Sequence, residues 1–158
     1  MINTILSDFS KVVLLSKNKN YKGSLNKLYK KLLASNKPFD FFDHFEVDEE
    51  LLNFYYSLKK RYSLNIFTAG TIQKLKEVRV KIAPIFDNIF SATDLSLNKK
   101  ESNAYLFIAK KLNKNPNEII YIDDNINNIN AAKKAGMEIY HYEDFIKLKN
   151  YLTKILYK

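Results

Sequence analysis

Residues 119–136 read IIYIDDNINNINAAKKAG. Residues 119–122 form a short, fully apolar run of β-branched and aromatic side chains, the kind found in the middle of a parallel sheet with both faces covered. Ile126, Ile129, Ala132 and Ala135 then recur at helical spacing, and Gly136 stands where a left-handed residue would end the helix. Between strand and helix lie two adjacent acids, Asp123 and Asp124. A buried strand, a polar turn and a helix is the repeating unit of an α/β fold.

The same alternation extends in both directions. Residues 3–7, 64–67, 88–91 and 138–141 read as further strands, and residues 12–15 as a shorter one. Helical spacing places Leu25, Leu28, Tyr29, Leu32 and Leu33 on one helix within residues 22–34, which Pro38 stops. An aromatic connection with Phe39, Phe41, Phe42 and Phe45 follows. Asp48 is a good cap for a second helix carrying Leu51, Tyr55, Leu58 and Tyr62. Thr71 is expected to cap a helix bearing Ile72, Leu75 and Val78. Residues 99–112 read as a helix with Tyr105, Ile108, Ala109 and Leu112 inward, and a last helix carries Phe145, Leu148, Leu152 and Ile155. The expectation is a single domain over residues 1–158, a three-layer sandwich with a mostly parallel sheet between two helical layers.

Composition narrows the function. With 158 residues, 46% hydrophobic and 27% charged, the chain has the balance of an ordinary globular domain with one sizeable core. It has no cysteine, which excludes a disulfide scaffold, a thiolate metal site and a cysteine nucleophile. No apolar run is long enough to span a bilayer, so no membrane partner is expected. The first apolar stretch carries Asp8 with no basic residue before it, unlike a secretory signal, and a cytoplasmic location is expected. The net charge is +9, yet Arg61 and Arg79 are the only arginines among 26 basic residues. Arginine's planar fork dominates specific phosphate and base contacts, so the lysines read as a solvated basic face and nucleic acid is not the expected partner. No pattern in the chain speaks to oligomeric state.

In parallel sheets, ligands bind outside the carboxyl ends of the strands. The chemically capable residues of this chain stand at those ends: Asp8, Thr68, and Asp123 with Asp124. A helix cap would account for one acid at 123–125 but not for the pair. Three carboxylates at one edge repel unless their pKa values rise or a cation joins them. Oxygen-only ligands suit Mg²⁺, which keeps part of its water and takes a substrate phosphate oxygen, whereas the absence of cysteine and the presence of only two histidines argue against zinc or copper. A carboxylate beside a metal-bound phosphate is a candidate nucleophile, and a hydroxyl and an ammonium can hold the remaining phosphoryl oxygens. His44 and His141 read as an ordinary loop and strand-end residue.

Taken together these residues resemble the haloacid dehalogenase-like (HAD) superfamily, whose core carries four short motifs in order. The first is a strand ending in Asp-x-Asp-Gly-Thr/Val; here ILSDFSKV at 5–12 puts Asp8 on the nucleophile. The second ends in Thr or Ser, and IFTAG at 66–70 supplies Thr68, with Ala69 and Gly70 in the phosphate-binding turn. The third is a lysine before a helix; LSLNKKESNAYLF at 95–107 offers Lys99, with Lys100 as the near alternative. The fourth is the paired acid Asp123–Asp124. The resemblance implies a Rossmann-like fold, a phosphorylated small-molecule substrate, and Mg²⁺ held by Asp8, the Ser10 carbonyl, Asp123 and Asp124. It also implies a cap insertion, here the small helical segment 16–60, whose phenylalanines would pack it on the core.

The first motif departs from the family at two places. The second Asp, which serves the family's phosphatases as general acid and base, is Ser10, and the following Gly is Lys11. A serine hydroxyl is a poor proton carrier, and loss of such help removes about 10²–10⁴ in rate. Lys11 is expected to distort the loop or to add positive charge beside the phosphate. The resemblance therefore implies a slow or atypical phosphohydrolase or phosphotransferase working through an aspartyl-phosphate. The alternative is a degenerate domain that binds a phosphoryl ligand or a protein partner without turnover.

Overall fold

In a computed structural model of the chain, which describes residues 1–157, the strands and helices follow in the expected alternation. The first strand, β1 (Thr4–Ser7), leads through a tight loop into β2 (Leu14–Ser16), α1 (Leu25–Ala34), α2 (Phe41–His44), β3 (Phe45–Val47) and α3 (Glu49–Leu58). Then come β4 (Ser63–Thr68), a single 3₁₀ turn (Ile72–Lys74), α4 (Lys76–Ile82), β5 (Asn88–Ser91) and α5 (Ser102–Lys111). The chain continues through a second 3₁₀ turn (Pro116–Glu118) into β6 (Ile119–Asp123), α6 (Ile126–Lys134), β7 (Glu138–His141) and α7 (Phe145–Leu156).

Five strands form one parallel sheet in the order β5-β4-β1-β6-β7. The fold is α/β and Rossmann-like, as the alternation of elements implied. The strands' period of two sorts their side chains between two cores. Ile5, Leu64, Ile66, Ile120 and Ile122 face one side, under Leu51, Tyr55 and Leu58 of α3, Val78 and Ile82 of α4, and Leu148 and Leu152 of α7. Leu6, Phe67, Ile119 and Tyr121 face the other, under Tyr105 and Ile108 of α5 and Ile129 and Ala132 of α6. All of these residues are buried. No helix among the described residues is long and apolar enough to cross a membrane.

Several local expectations are corrected. The aromatic connection holds α2 and the short strand β3, which pairs antiparallel with β2 as a separate ribbon. Phe41 and Phe45 of this segment stack with ring centroids 4.5 Å apart. Thr71 makes no side-chain cap; the chain takes the 3₁₀ turn and goes extended at Leu75 before α4 begins. The helix expected at 99–112 starts only at Ser102, because Lys99 and Lys100 belong to the turn before it. Leu33 and Ile126, both on helical stripes, are about half exposed at 52% and 49%. Gly136 does adopt the left-handed conformation, with φ +92°, and ends α6.

Candidate active site

The strand order builds the site. Because β1 lies between β4 and β6, the ends of three strands remote in sequence become neighbours, with Ser7 registered against both Ile66 and Ile122. The next residue on β1 is Asp8, whose N–H donates to the Ile122 carbonyl at 2.7 Å. The chain crosses from β1 toward β4 on one side and later returns to β6 on the other, the arrangement in which α/β sheets open a crevice.

Lys99 joins the parts. Its ammonium lies 2.7 Å from Asp8 Oδ1 and 3.1 Å from Asp123 Oδ2, and it is only 7% exposed. Tyr105 fixes this lysine by donating its hydroxyl to the Lys99 carbonyl at 2.7 Å. Burial alone would lower the Lys99 pKa, but the Asp8 and Asp123 carboxylates outweigh it and hold the ammonium charged. Of the two candidate lysines, Lys99 therefore occupies the site, and Lys100 points to solvent from the wall of a neighbouring hollow.

The paired acids are divided in role by their surroundings. Asp123 is wholly buried and hydrogen-bonded at both oxygens. Its Oδ1 accepts from the Asn125 N–H at 2.7 Å, and its Oδ2 from Tyr121 and, at 3.0 Å, from Asn128. Asp124 is half-buried and faces the cleft, while its carbonyl accepts from His141 at 2.9 Å. A carbonyl only accepts, so His141 carries its proton on Nε2 there. Asp8, Asp123 and Asp124 each offer a carboxylate oxygen, and these lie within 4.8 Å of one another. With one ammonium against three carboxylates, the ionised cluster has two negative charges in excess. In line with that, burial raises the Asp8 carboxyl to about 7, with Lys99 opposing and Asp123 adding to the rise. Asp124 is raised too, by burial first and then by Asp123. An all-oxygen set with this charge deficit fits a hard divalent cation.

A cleft of about 200 Å³ opens above the cluster, lined by Asp8, Ser10, Thr68, Ala69, Lys99 and Asp124 among others. Thr68 is the last residue of β4 and is 1% exposed. Gly70 is not part of this wall; it lines the adjoining hollow beneath α1, against the side chain of Asn26. Lys11 takes φ +63°, the backbone conformation that a glycine would adopt without strain. Sequence reasoning missed Asn26 and Asn128, both of which line the cleft, and the Tyr121 hydroxyl below it. For Asn128 a signal existed, since it stands five residues after Asp123, in the first turn of α6.

The family model described as haloacid dehalogenase-like hydrolase matches residues 17–136. The chain belongs to that family. The matched stretch starts after Asp8, so the placing of Asp8 opposite Lys99 and Asp123 rests on the fold. Among curated proteins, this HAD-like chain is 34% identical over 85 residues to the enolase-phosphatase E1 of Parasynechococcus marenigrum, which is 51% of the chain and 34% of that protein. It is 30% identical over 81 residues to the enolase-phosphatase E1 of Azotobacter vinelandii, 48% of the chain and 35% of that protein. The chain thus spans about a third of the length of these curated relatives. Among solved structures, a HAD family enzyme of Bacteroides thetaiotaomicron in complex with magnesium and inorganic phosphate superposes with a TM-score of 0.71 at 14% identity, covering 94% of this chain and 99% of that one. A 2-haloacid dehalogenase of Pseudomonas syringae gives 0.63 at 14% identity, with 88% and 85% covered. At such identities these two structures speak to the fold.

Proposed function

We propose that this HAD-like hydrolase is a Mg²⁺-dependent phosphohydrolase or phosphotransferase of the cytoplasm, acting through an aspartyl-phosphate at Asp8 on a phosphorylated small molecule. The observation that carries the proposal is the Lys99 ammonium shared between Asp8 and Asp123 under a cleft walled by Thr68 and Asp124. The enolase-phosphatase relatives and the magnesium and phosphate bound by the Bacteroides enzyme support the substrate class and the ion. In this reading Asp8, Asp123, Asp124 and the Ser10 carbonyl hold Mg²⁺, and Asp123 also fixes Lys99 and the turn beneath. Bound there, the ion supplies positive charge against the carboxylates and the phosphoryl oxygens.

The chain's own residues do the rest. One Asp8 oxygen attacks phosphorus, and the bond from phosphorus to the ester oxygen breaks. Thr68 and Lys99 donate to the phosphoryl oxygens as charge builds on them. The departing alkoxide needs a proton, and Ser10 cannot supply one well, so the proton comes from water in the cleft. Water then attacks the aspartyl-phosphate at phosphorus, freeing phosphate and restoring Asp8. Without an acid at position 10, both steps are slow. The segment 16–60 acts as a small cap, through Ser24, Leu25 and Asn26 at the start of α1, which line the cleft.

The test is hydrolysis of a panel of phosphate esters with and without Mg²⁺. Activity that needs Mg²⁺ and disappears in Asp8→Asn is expected, and Ser10→Asp should raise the rate by about 10²–10⁴. No hydrolysis of any ester, together with an Asp8→Asn protein indistinguishable from the parent, would defeat the proposal. The second reading, a domain that binds a phosphoryl ligand or a protein partner without turnover, is favoured by Ser10 itself. It gains if Ser10→Asp creates activity in an inert parent.

A further inference from the structure

Next to the catalytic cleft, and meeting it at Lys11 and Leu25, lies a second hollow of about 270 Å³ in the loop between β2 and α1. Its wall includes Lys11, Lys19, Lys22, Tyr21 and Ser16. Lys19 is paired with Glu46 and is electrically spent. Lys11 and Lys22 make no salt bridge among the described residues. The Lys11 ammonium donates to the Lys22 carbonyl at 3.2 Å, and the Lys22 ammonium to the Lys19 carbonyl at 3.5 Å. The Ser16 hydroxyl, also in this wall, is buried with no hydrogen-bond partner, a state that proteins avoid unless something else binds there. Two ammoniums outside any salt bridge, of which Lys11 also acts on the Asp124 carboxylate, thus stand in the wall of a hollow that opens beside the phosphoryl site.

We infer that the substrate of this site carries a second anionic group, a phosphate or a carboxylate, which seats in the hollow of Lys11 and Lys22 while its phosphoryl group lies over Asp8. This rests on the phosphohydrolase reading and narrows its substrate class from phosphate esters in general to esters that carry a second anionic group. Lys11 stands at the border of the two spaces, which gives a reason for a lysine to occupy a left-handed backbone position that glycine fills more easily. The Lys11 and Lys22 ammoniums supply charge-assisted hydrogen bonds to the remote anion.

The experiment measures binding by calorimetry in the presence of Mg²⁺. The probes are methylphosphonate, a series of α,ω-bisphosphonates of increasing chain length, and the matching ω-phosphonocarboxylates. The expected result is that one chain length binds at least about ten-fold tighter than methylphosphonate, a gain of about 1.4 kcal/mol. That ratio should fall to near one in Lys22→Glu. Lys22 is exposed, so the variant keeps its fold. Comparison of the two series tells whether phosphate or carboxylate is preferred. If every bifunctional probe binds no better than methylphosphonate, or the advantage survives Lys22→Glu, the second subsite is wrong. Methylphosphonate binding that does not respond to Mg²⁺ counts instead against the phosphohydrolase reading. The ratio and its loss in Lys22→Glu still decide the subsite.

Discussion

Removing the Lys99 ammonium leaves the Asp8 and Asp123 carboxylates facing each other, buried, without their shared cation. Breaking a buried ion pair from one side costs about 3–5 kcal/mol. Lys99→Met should therefore lower Tm by on the order of 10 °C, read by thermal unfolding at neutral pH. The loss should shrink in mild acid, where a protonated Asp8 no longer needs a partner. The same carboxyl sets the sign of the metal's pH dependence. Burial raises Asp8 to about 7 despite Lys99, so the metal-free folded state binds a proton more tightly than the unfolded chain does. That contribution to stability is present in acid and is lost as pH rises toward the folded value. Mg²⁺ competes for the same oxygens, so its affinity should climb from about pH 6 to about pH 8, with proton release; calorimetry in buffers of different ionisation enthalpy measures both. A flat affinity would place the ion elsewhere.

At the scale of elements, Gly136 offers a clean test of backbone strain. It sits at φ +92° after α6, and an added Cβ would meet nothing closer than Pro116 at 3.6 Å. Gly136→Ala should then cost about 1 kcal/mol from conformation alone, a fall in Tm of roughly 2–4 °C. This glycine was legible in the sequence because its reason is local. So were Asp8, Thr68 and the acid pair, each of which directly follows an apolar strand that betrays itself by its buried neighbours. What escaped notice depends on partners far away in the chain. The pairing of β2 with β3 involves three residues on each side, too few for alternation to register. The helix of Tyr105 was drawn three residues too long at its start because periodicity does not know that Lys99 must turn inward to Asp8. Ile126 sits on the α6 stripe but is the first residue of the helix and is left about half in water. The positive φ of Lys11 agrees with the loop distortion expected where a lysine takes the place of a glycine.

For the molecule as a whole, a bound cation should act as a stabilising ligand. At a hundred-fold excess over its Kd, Mg²⁺ adds about 2.7 kcal/mol to the folded state, and Tm should rise by roughly 5–10 °C. Asp124→Asn should abolish most of that rise while leaving the Tm without Mg²⁺ close to the parent's, since Asp124 faces the cleft and not the core. The strand order has a different consequence, for synthesis. β1 leaves the ribosome before the other elements of this domain, yet both of its sheet neighbours, β4 and β6, come much later, β6 only after Glu118. Until β6 emerges, Ile5 and Leu6 have an open edge on one side and no finished layer over them. Such contacts, long in sequence, form late and slowly. A nascent chain stalled before Ile119 should therefore be sticky, sought by chaperones and cut by proteases, and should become resistant abruptly once that strand slots in beside the first.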